Sequence, residues 1–296
     1  MKKKKHSLTF AVIGAGMVGT AIGFLLEKAG HNVAAIADLS AAHLKRATSY
    51  LRVPGFHHPA QAAARADCIL ITTPDDRIAS VCGEIAAAPG IQGKKVFHMS
   101  GAGGLDLLAA AARAGALTAS IHPLQSFSSI DGAIASIPGS YFGVTADAGL
   151  ERLAADIVRD LRGIPIPISA QQKPLYHAAA CIASNYLVSL MSVVESIYLS
   201  IGFSEKDARR AYLPLVYGSL KNIENQGCPN ALTGPIARGD SGTIQKHIDA
   251  MARHLPDFAS MYAHMGAIAV KLTREKGTLS AAQAKEILGM LKGAKT

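Results

Sequence analysis

Tryptophan is absent from the 296 residues, aromatic side chains make up 5% and charged ones 17%, while hydrophobic residues reach 49%. So few aromatics argue against an aromatic-lined sandwich, and the high apolar content with low charge excludes a disordered chain. There are four cysteines, Cys68, Cys82, Cys181 and Cys228, far apart and without a C-x-x-C pair. That spacing speaks against a disulfide framework and against metal ligation, and the thiols read as small packing residues. Acids are fewer than bases, 21 against 30, which gives a formal charge of +9. Four of the cations, Lys2 to Lys5, are read as a solvated tail. The others show no stripe interleaved with aromatics, so no nucleic acid is expected and a phosphate-bearing cofactor accounts for the excess equally well.

Long hydrophobic runs are also scarce, with two exceptions. The lysine tail followed by an apolar stretch to Leu26 imitates a secretory leader. Its glycines at fixed offsets and its lack of a small-residue cleavage site argue instead for a cytoplasmic protein. The second run, Leu175 to Phe203, is interrupted by His177, Asn185 and Glu195. Polar groups at those depths are costly in lipid, so a helix of a soluble domain is expected and no membrane partner.

What is present is alternation. Short, continuously apolar runs recur at Leu8–Ile13, Val33–Ala37, Cys68–Thr72, Lys95–Met99, Thr118–Ile121, Tyr141–Val144 and Ile164–Ile168, with helical patterns between them. Runs apolar on consecutive residues predict strands covered on both faces, as in an α/β doubly wound parallel sheet. After Ile168 the strand signals stop. This places a dinucleotide-binding domain at 1–168 and an all-helical domain for substrate and dimerisation at 169–296. Its predicted helices are Pro174–Ile201, Glu205–Asn225 with a kink at Pro214, Ser241–Arg253, Pro256–Glu275 and Ser280–Leu291. Gly227 to Asp240, rich in Gly and Pro, is read as a loop of functional interest.

The first strand runs into Gly14-Ala15-Gly16-Met17-Val18-Gly19 and then a helix. This is G-x-G-x-x-G in its required setting: a tight turn, a close backbone approach to a pyrophosphate, and close helix–strand packing. Helix N-terminal amides then meet the phosphates. Asp38, nineteen positions beyond Gly19, stands where an acid accepts hydrogen bonds from the adenosine ribose, which mildly favours NAD over NADP. Ser40, Lys45 and Arg46 follow closely and leave NADP open.

With Ile69-Leu-Ile-Thr-Thr-Pro-Asp-Asp76 added, the first half resembles the Rossmann domain shared by pyrroline-5-carboxylate reductases, prephenate dehydrogenases, ketopantoate reductases and 6-phosphogluconate-type dehydrogenases. The resemblance implies that Thr73 and Pro74 also line the dinucleotide. Four further blocks extend the likeness: His98-Met-Ser-Gly101, His122-Pro-Leu-Gln-Ser-Phe127, Tyr176-His-Ala-Ala-Ala180 with Ser184-Asn185-Tyr186, and Leu232 to Asp240. Over nearly its whole length the chain is similar to a family of Rossmann-like oxidoreductases with a helical C-terminal domain of unknown function. Related dehydrogenases pack long, small-residue helices between subunits, which implies a homodimer.

Ser100 and His122 fall at strand ends, where open α/β sheets bind ligands. The pair resembles the serine and histidine-proline motif of prephenate dehydrogenases, which implies that His122 exchanges the substrate's proton. The alternative for His122 is a turn-shaping role before Pro123. His177, Cys181 and Asn185, spaced by four, share a helix face. In β-hydroxyacid dehydrogenases a lysine precedes the catalytic asparagine by four residues; Asn185 matches the asparagine, but Cys181 stands at the lysine position. Asn185 is then expected to hold substrate or the carboxamide, and His177 to offer a second proton-transfer group, unless both merely satisfy buried hydrogen bonds. Thr233 and Arg238 are candidates for substrate binding, Arg238 as a carboxylate or phosphate clamp, with a salt bridge as its plainer role. The expected function is hydride transfer between a nicotinamide and a small carbonyl, imine or alcohol bound between the domains. The alternative is a non-catalytic dinucleotide-binding sensor or assembly protein; an adenosylmethionine-dependent methyltransferase fits the glycine spacing and Asp38 less well.

Overall fold

In the computed structural model, residues 7–293 are described, so the lysine tail lies outside them. They divide into two compact units after Asn185. The first is built on strands β1 (Thr9–Ile13), β2 (Asn32–Ala37), β3 (Gly55–Phe56), β4 (Cys68–Ile71), β5 (Lys95–His98), β6 (Leu117–Pro123), β7 (Tyr141–Ala146) and β8 (Ile164–Pro167). Interleaved helices are α1 (Met17–Lys28), α2 (Ala41–Ala47), α3 (Pro59–Ala63), α4 (Asp75–Ala87), α5 (Ala109–Arg113), α6 (Ile130–Ser136) and α7 (Glu151–Asp160). The strands form one sheet in the order β3-β2-β1-β4-β5-β6-β7-β8.

The consecutive apolar residues of β1 explain how this sheet is buried. Phe10 and Val12 enter one core, with Leu26, Phe97 and Phe142, while Ala11 and Ile13 enter a second on the opposite face, with Ile69, Ile71 and Ile78. Chain order reverses between β1 and β4, so the crevice for a ligand opens above the ends of these two strands.

The sheet is mostly parallel, as the sequence pattern suggested, with one exception. β7 runs antiparallel to β6, with Pro123 beside Phe142, and β8 runs parallel to β7. The antiparallel pairing means that β7 starts at the end of the sheet where β6 ends. Pro165 and Pro167 sit in β8, an edge strand, where a missing N–H is tolerated. β3, two residues long, carries no periodic signal at all.

The remaining helices are α8 (Lys173–Cys181), α9 (Leu187–Ser200), α10 (Glu205–Ala231), α11 (Pro235–Arg238), α12 (Ser241–His254), α13 (Pro256–Lys276) and α14 (Ala281–Gly293). α8 and α9 are continuous through a π-helical turn, Ile182–Tyr186, which falls where one long α-helix was expected. In the second unit, α12, α13 and α14 share a core of Ile244, Ile248, Val270, Ile287 and Leu291. Two expectations here need correction. α10 breaks at Gly227 (φ 74°, ψ 165°), a backbone region open to glycine, whereas Pro214 keeps helical dihedrals. The expected loop from Gly227 to Asp240 is largely helical, since Cys228 to Ala231 complete α10 and Pro235 opens α11.

Candidate active site

At the switch point, Gly14 turns the chain at φ +111°, and its amide donates to the Ala37 carbonyl at 2.7 Å, binding the loop to β2. A Cβ on Gly14 would strike the Thr72 backbone at 2.8 Å, and one on Gly19 would overlap the Gly14 carbonyl oxygen and Thr72 Oγ1. Those two glycines serve packing. Gly16 differs: a Cβ there would meet no heavy atom within 4 Å. The space above it belongs to a cavity of about 530 Å³.

Of the residues expected to hold a dinucleotide, Gly14, Gly16, Met17, Val18, Asp38, Thr73 and Pro74 line this cavity. Ala15 and Gly19 support it from behind. First-turn amides of α1 have no intrahelical acceptor, and they stand at the positive end of the helix dipole. Thr73 Oγ1 is buried without a hydrogen-bond partner among the described residues. An open space above one glycine, free amides and an unsatisfied buried hydroxyl fit a diphosphate. Asp38 is more occupied than its position suggested. Its carboxylate accepts the Ala15 amide at 2.7 Å and the Ser40 amide at 2.8 Å, and His43 Nδ1 lies 3.3 Å away. His43 and His57 line the cavity beside it, and sequence reasoning had missed both.

A second polar cluster forms where β5, β6 and β7 meet the first turns of α8. Residues His98 and Ser100, and Ser120 and His122, are spaced by two and so share one face of the sheet. His98 is fully buried; its Nε2 must donate to the Gly104 carbonyl at 3.0 Å, because a carbonyl only accepts, while Nδ1 accepts the Ser100 amide at 3.1 Å. The neutral ring thus satisfies both partners. Burial, with the Lys173 charge second, pushes the His98 pKa down to about 4. Ser100 Oγ donates to Asp75 Oδ2 at 2.6 Å and accepts from Gly103 N–H at 2.8 Å.

His122 Nδ1 lies 3.1 Å from the Tyr176 hydroxyl, and its ring meets those of Tyr176 and His177 edge-on at 5.6 and 5.7 Å. Two glycines permit this crowding. A Cβ on Gly101 would collide with His122 and His177, and one on Gly143 would lie 2.9 Å from the Tyr176 ring. Burial lowers the His122 pKa to about 4, aided by His177 and Lys173, and burial raises that of Tyr176. His177 Nε2 approaches Cys181 Sγ at 3.5 Å, and its Nδ1 is buried with no partner among the described residues.

Ser100, His122 and His177 therefore come together, with Lys173 and Tyr176, which sequence reasoning did not single out. Their signal was available: Lys173, Tyr176 and His177, at i, i+3 and i+4, occupy one helix face. Asn185 is exposed on the π-helical turn. Thr233 and Arg238 belong to the second unit. There Asp240 caps α12, accepting Thr243 N–H at 2.9 Å, and this bond holds its pKa low, with a smaller contribution from Arg238. Arg238 has no carboxylate within ion-pairing distance among the described residues. Nor do three or more His, Cys, Asp or Glu side chains among those residues assemble for a metal ion.

Comparison with known proteins agrees with this architecture. Residues 2–123 match the Rossmann-like domain, and residues 140–269 match the Domain of unknown function (DUF2520). No curated protein matches in sequence. Among solved structures, protein TM1727 from Thermotoga maritima superposes with a TM-score of 0.72 at 21% identity, over 90% of this chain and 99% of that one. A pyrroline-5-carboxylate reductase from Coxiella burnetii gives 0.57 at 16% identity, covering 98% of both chains. A reductive aminase from Aspergillus terreus, in complex with NADPH and ethyl-5-oxohexanoate, gives 0.59 at 18% identity, over 98% of this chain and 94% of that one. At such identities the likeness is one of fold.

Proposed function

We propose that this chain, which joins a Rossmann-like domain to a DUF2520 domain, is an oxidoreductase that moves a hydride between a nicotinamide dinucleotide and a small carbonyl, imine or alcohol. The observation that carries the reading is the open cavity over Gly16, faced by the first-turn amides of α1 and by the unsatisfied hydroxyl of Thr73. Structures of similar fold that hold NADP or NADPH, a pyrroline carboxylate reductase and a reductive aminase, support it. Asp38 gives little ground for preferring NAD, because both its oxygens already accept backbone amides and His43 faces one of them. Either dinucleotide suits the site.

Bound nicotinamide supplies the hydride donor or acceptor; the chain supplies binding and proton transfer. Gly14 and Gly19 set the loop, and the α1 amides and the Thr73 hydroxyl would hold the diphosphate. His122 is neutral at physiological pH, so its ring can take the hydroxyl or amine proton of a substrate being oxidised and return it in reduction. Tyr176 fixes that ring through Nδ1. Replacement of His122 by Asn is expected to lower kcat/KM roughly 10²–10⁴-fold, the usual range for a general acid–base. The test is NADH or NADPH oxidation across a panel of oxo acids, imines and ketones. Tight dinucleotide binding with no turnover on any of them would favour the sensor reading instead.

The same proposal includes a homodimer and a cytoplasmic location. By length and composition, 173–200 could cross a membrane, and it is mostly exposed in the single chain. Lys173, however, ties its first turn into the sheet. Tyr186 and Val188, each more than 60% exposed in the second unit, are apolar side chains for which a second copy is the proposed cover.

A further inference from the structure

Lys173 is 1% exposed and among the largest fully buried side chains. No carboxylate among the described residues lies within ion-pairing distance of it. Its ammonium donates instead to two neutral groups, Ser120 Oγ at 2.7 Å and the Ser100 carbonyl at 3.1 Å, and Ser120 Oγ itself donates to that carbonyl at 3.2 Å. It is also the first residue of α8, at the positive end of the helix dipole. Burial and placement at that end disfavour a cation here, with Asp75 a weaker opposing influence, and such cost concentrates at functional sites.

The position explains what the cost secures. One face of α8 presents Lys173, Tyr176 and His177. The lysine bonds to Ser100, just past the end of β5, and to Ser120 within β6, Tyr176 seats on Gly143 of β7, and His177 seats on Gly101. We propose that Lys173 is the positioning residue of the His122 site, a buried cation that clamps the first turns of α8 to the strand ends and sets the charge that His122 faces. This rests on the reading of His122 as the proton-transfer group. The groups around it are His98 on β5, Asp75 at the start of α4, Asp106 near His98, and Tyr176, His177 and Cys181 on α8. Of these, Asp75 is the acid that opposes the lysine's effect on His122. Burial lowers the Lys173 pKa to about 8, and the lysine's charge in turn contributes to lowering that of His122.

The test is histidine-labelled NMR of the full chain without dinucleotide, with the His122 signal assigned by its loss in His122→Asn. In the wild type, the His122 ring resonances are expected to show a second inflection around pH 8 as Lys173 loses its proton. In Lys173→Met, that inflection disappears and the imidazole midpoint rises. Lys173→Arg, which keeps the charge, restores a midpoint nearer the wild-type value. A wild-type His122 signal flat from pH 7 to 9 would overturn the proposal, and that result needs no variant to fold. So would an unshifted midpoint in a folded Lys173→Met. Because the readout uses protein free of dinucleotide, it is independent of whether turnover is ever found; failure of the hydride-transfer reading would appear separately, as absent dinucleotide binding.

Discussion

Gly16 and Gly19 lie three residues apart and lack a Cβ for different reasons. At Gly19 the space is already filled by the Gly14 carbonyl and the Thr72 hydroxyl, so Gly19→Ala is expected to cost about 1–3 kcal/mol in denaturant unfolding. At Gly16 the space is open and the backbone extended (φ −70°), so Gly16→Ala should stay within about 1 kcal/mol of the parent while weakening dinucleotide binding. Equal stability losses at both positions would mean that Gly16 serves packing. His98 sets a pH dependence of its own. Its folded pKa, about 4, lies below the ordinary 6.5, so the unfolded chain binds the proton more tightly and stability falls as pH drops from 6.5 towards 4. At about 1.4 kcal/mol per unit, His98 accounts for a loss of roughly 2 kcal/mol in urea unfolding at pH 5 relative to pH 7, and His122, also held at about 4, adds to it. An unfolding free energy level between those values would contradict the buried neutral ring. At this scale the sequence disclosed the glycine motif, Asp38, Ser100, His122 and His177, because each sits in a local pattern. It hid Lys173, since a lysine beside a proline at a helix start reads as solvated; only the tertiary placement of Ser100 and Ser120 around its ammonium makes it a buried group.

Among the elements, α10 offers the sharpest contrast between a helical and a non-helical glycine. Gly218 has helical dihedrals and Gly227 a φ of 74°, and a Cβ at either would meet nothing within 4 Å. Gly218→Ala is therefore expected to stabilise by up to ~1 kcal/mol, through helix propensity alone. Gly227→Ala should destabilise by roughly 1–3 kcal/mol, through backbone strain alone. Thermal unfolding of the two variants checks the pair, and a shift of the same sign in both would place the helix break elsewhere. The break was illegible beforehand because Pro214 is the stronger helix breaker in sequence, yet its fixed φ is compatible with a helix, while the consequence of Gly227 depends on how the chain must turn towards α11. β1, β2, β4 and β5 were readable because both faces are buried and the apolar runs are continuous. The direction of β7 was not, since a strand's own pattern does not record which way it pairs.

At the scale of the whole molecule, two apolar side chains of the second unit stand exposed in the single chain. Val188 on α9 is 69% exposed and Tyr186, just before it, 64%, values unusual for side chains in the middle of a long apolar stretch. If a second copy covers them, Val188→Lys should convert a dimer into a folded monomer, read as a halved mass by light scattering with unchanged far-ultraviolet dichroism. A parent protein that is already monomeric at micromolar concentration would refute the dimer.

Everything functional in this account depends on the crevice above β1 and β4 taking a dinucleotide. Calorimetric titration of the pure chain with NADH and NADPH measures this directly. Saturable one-to-one binding of at least one of them, weakened tenfold or more in a folded Gly16→Val variant, is the predicted result. No saturable heat with either would contradict it, as would equal affinity in the parent and in the variant.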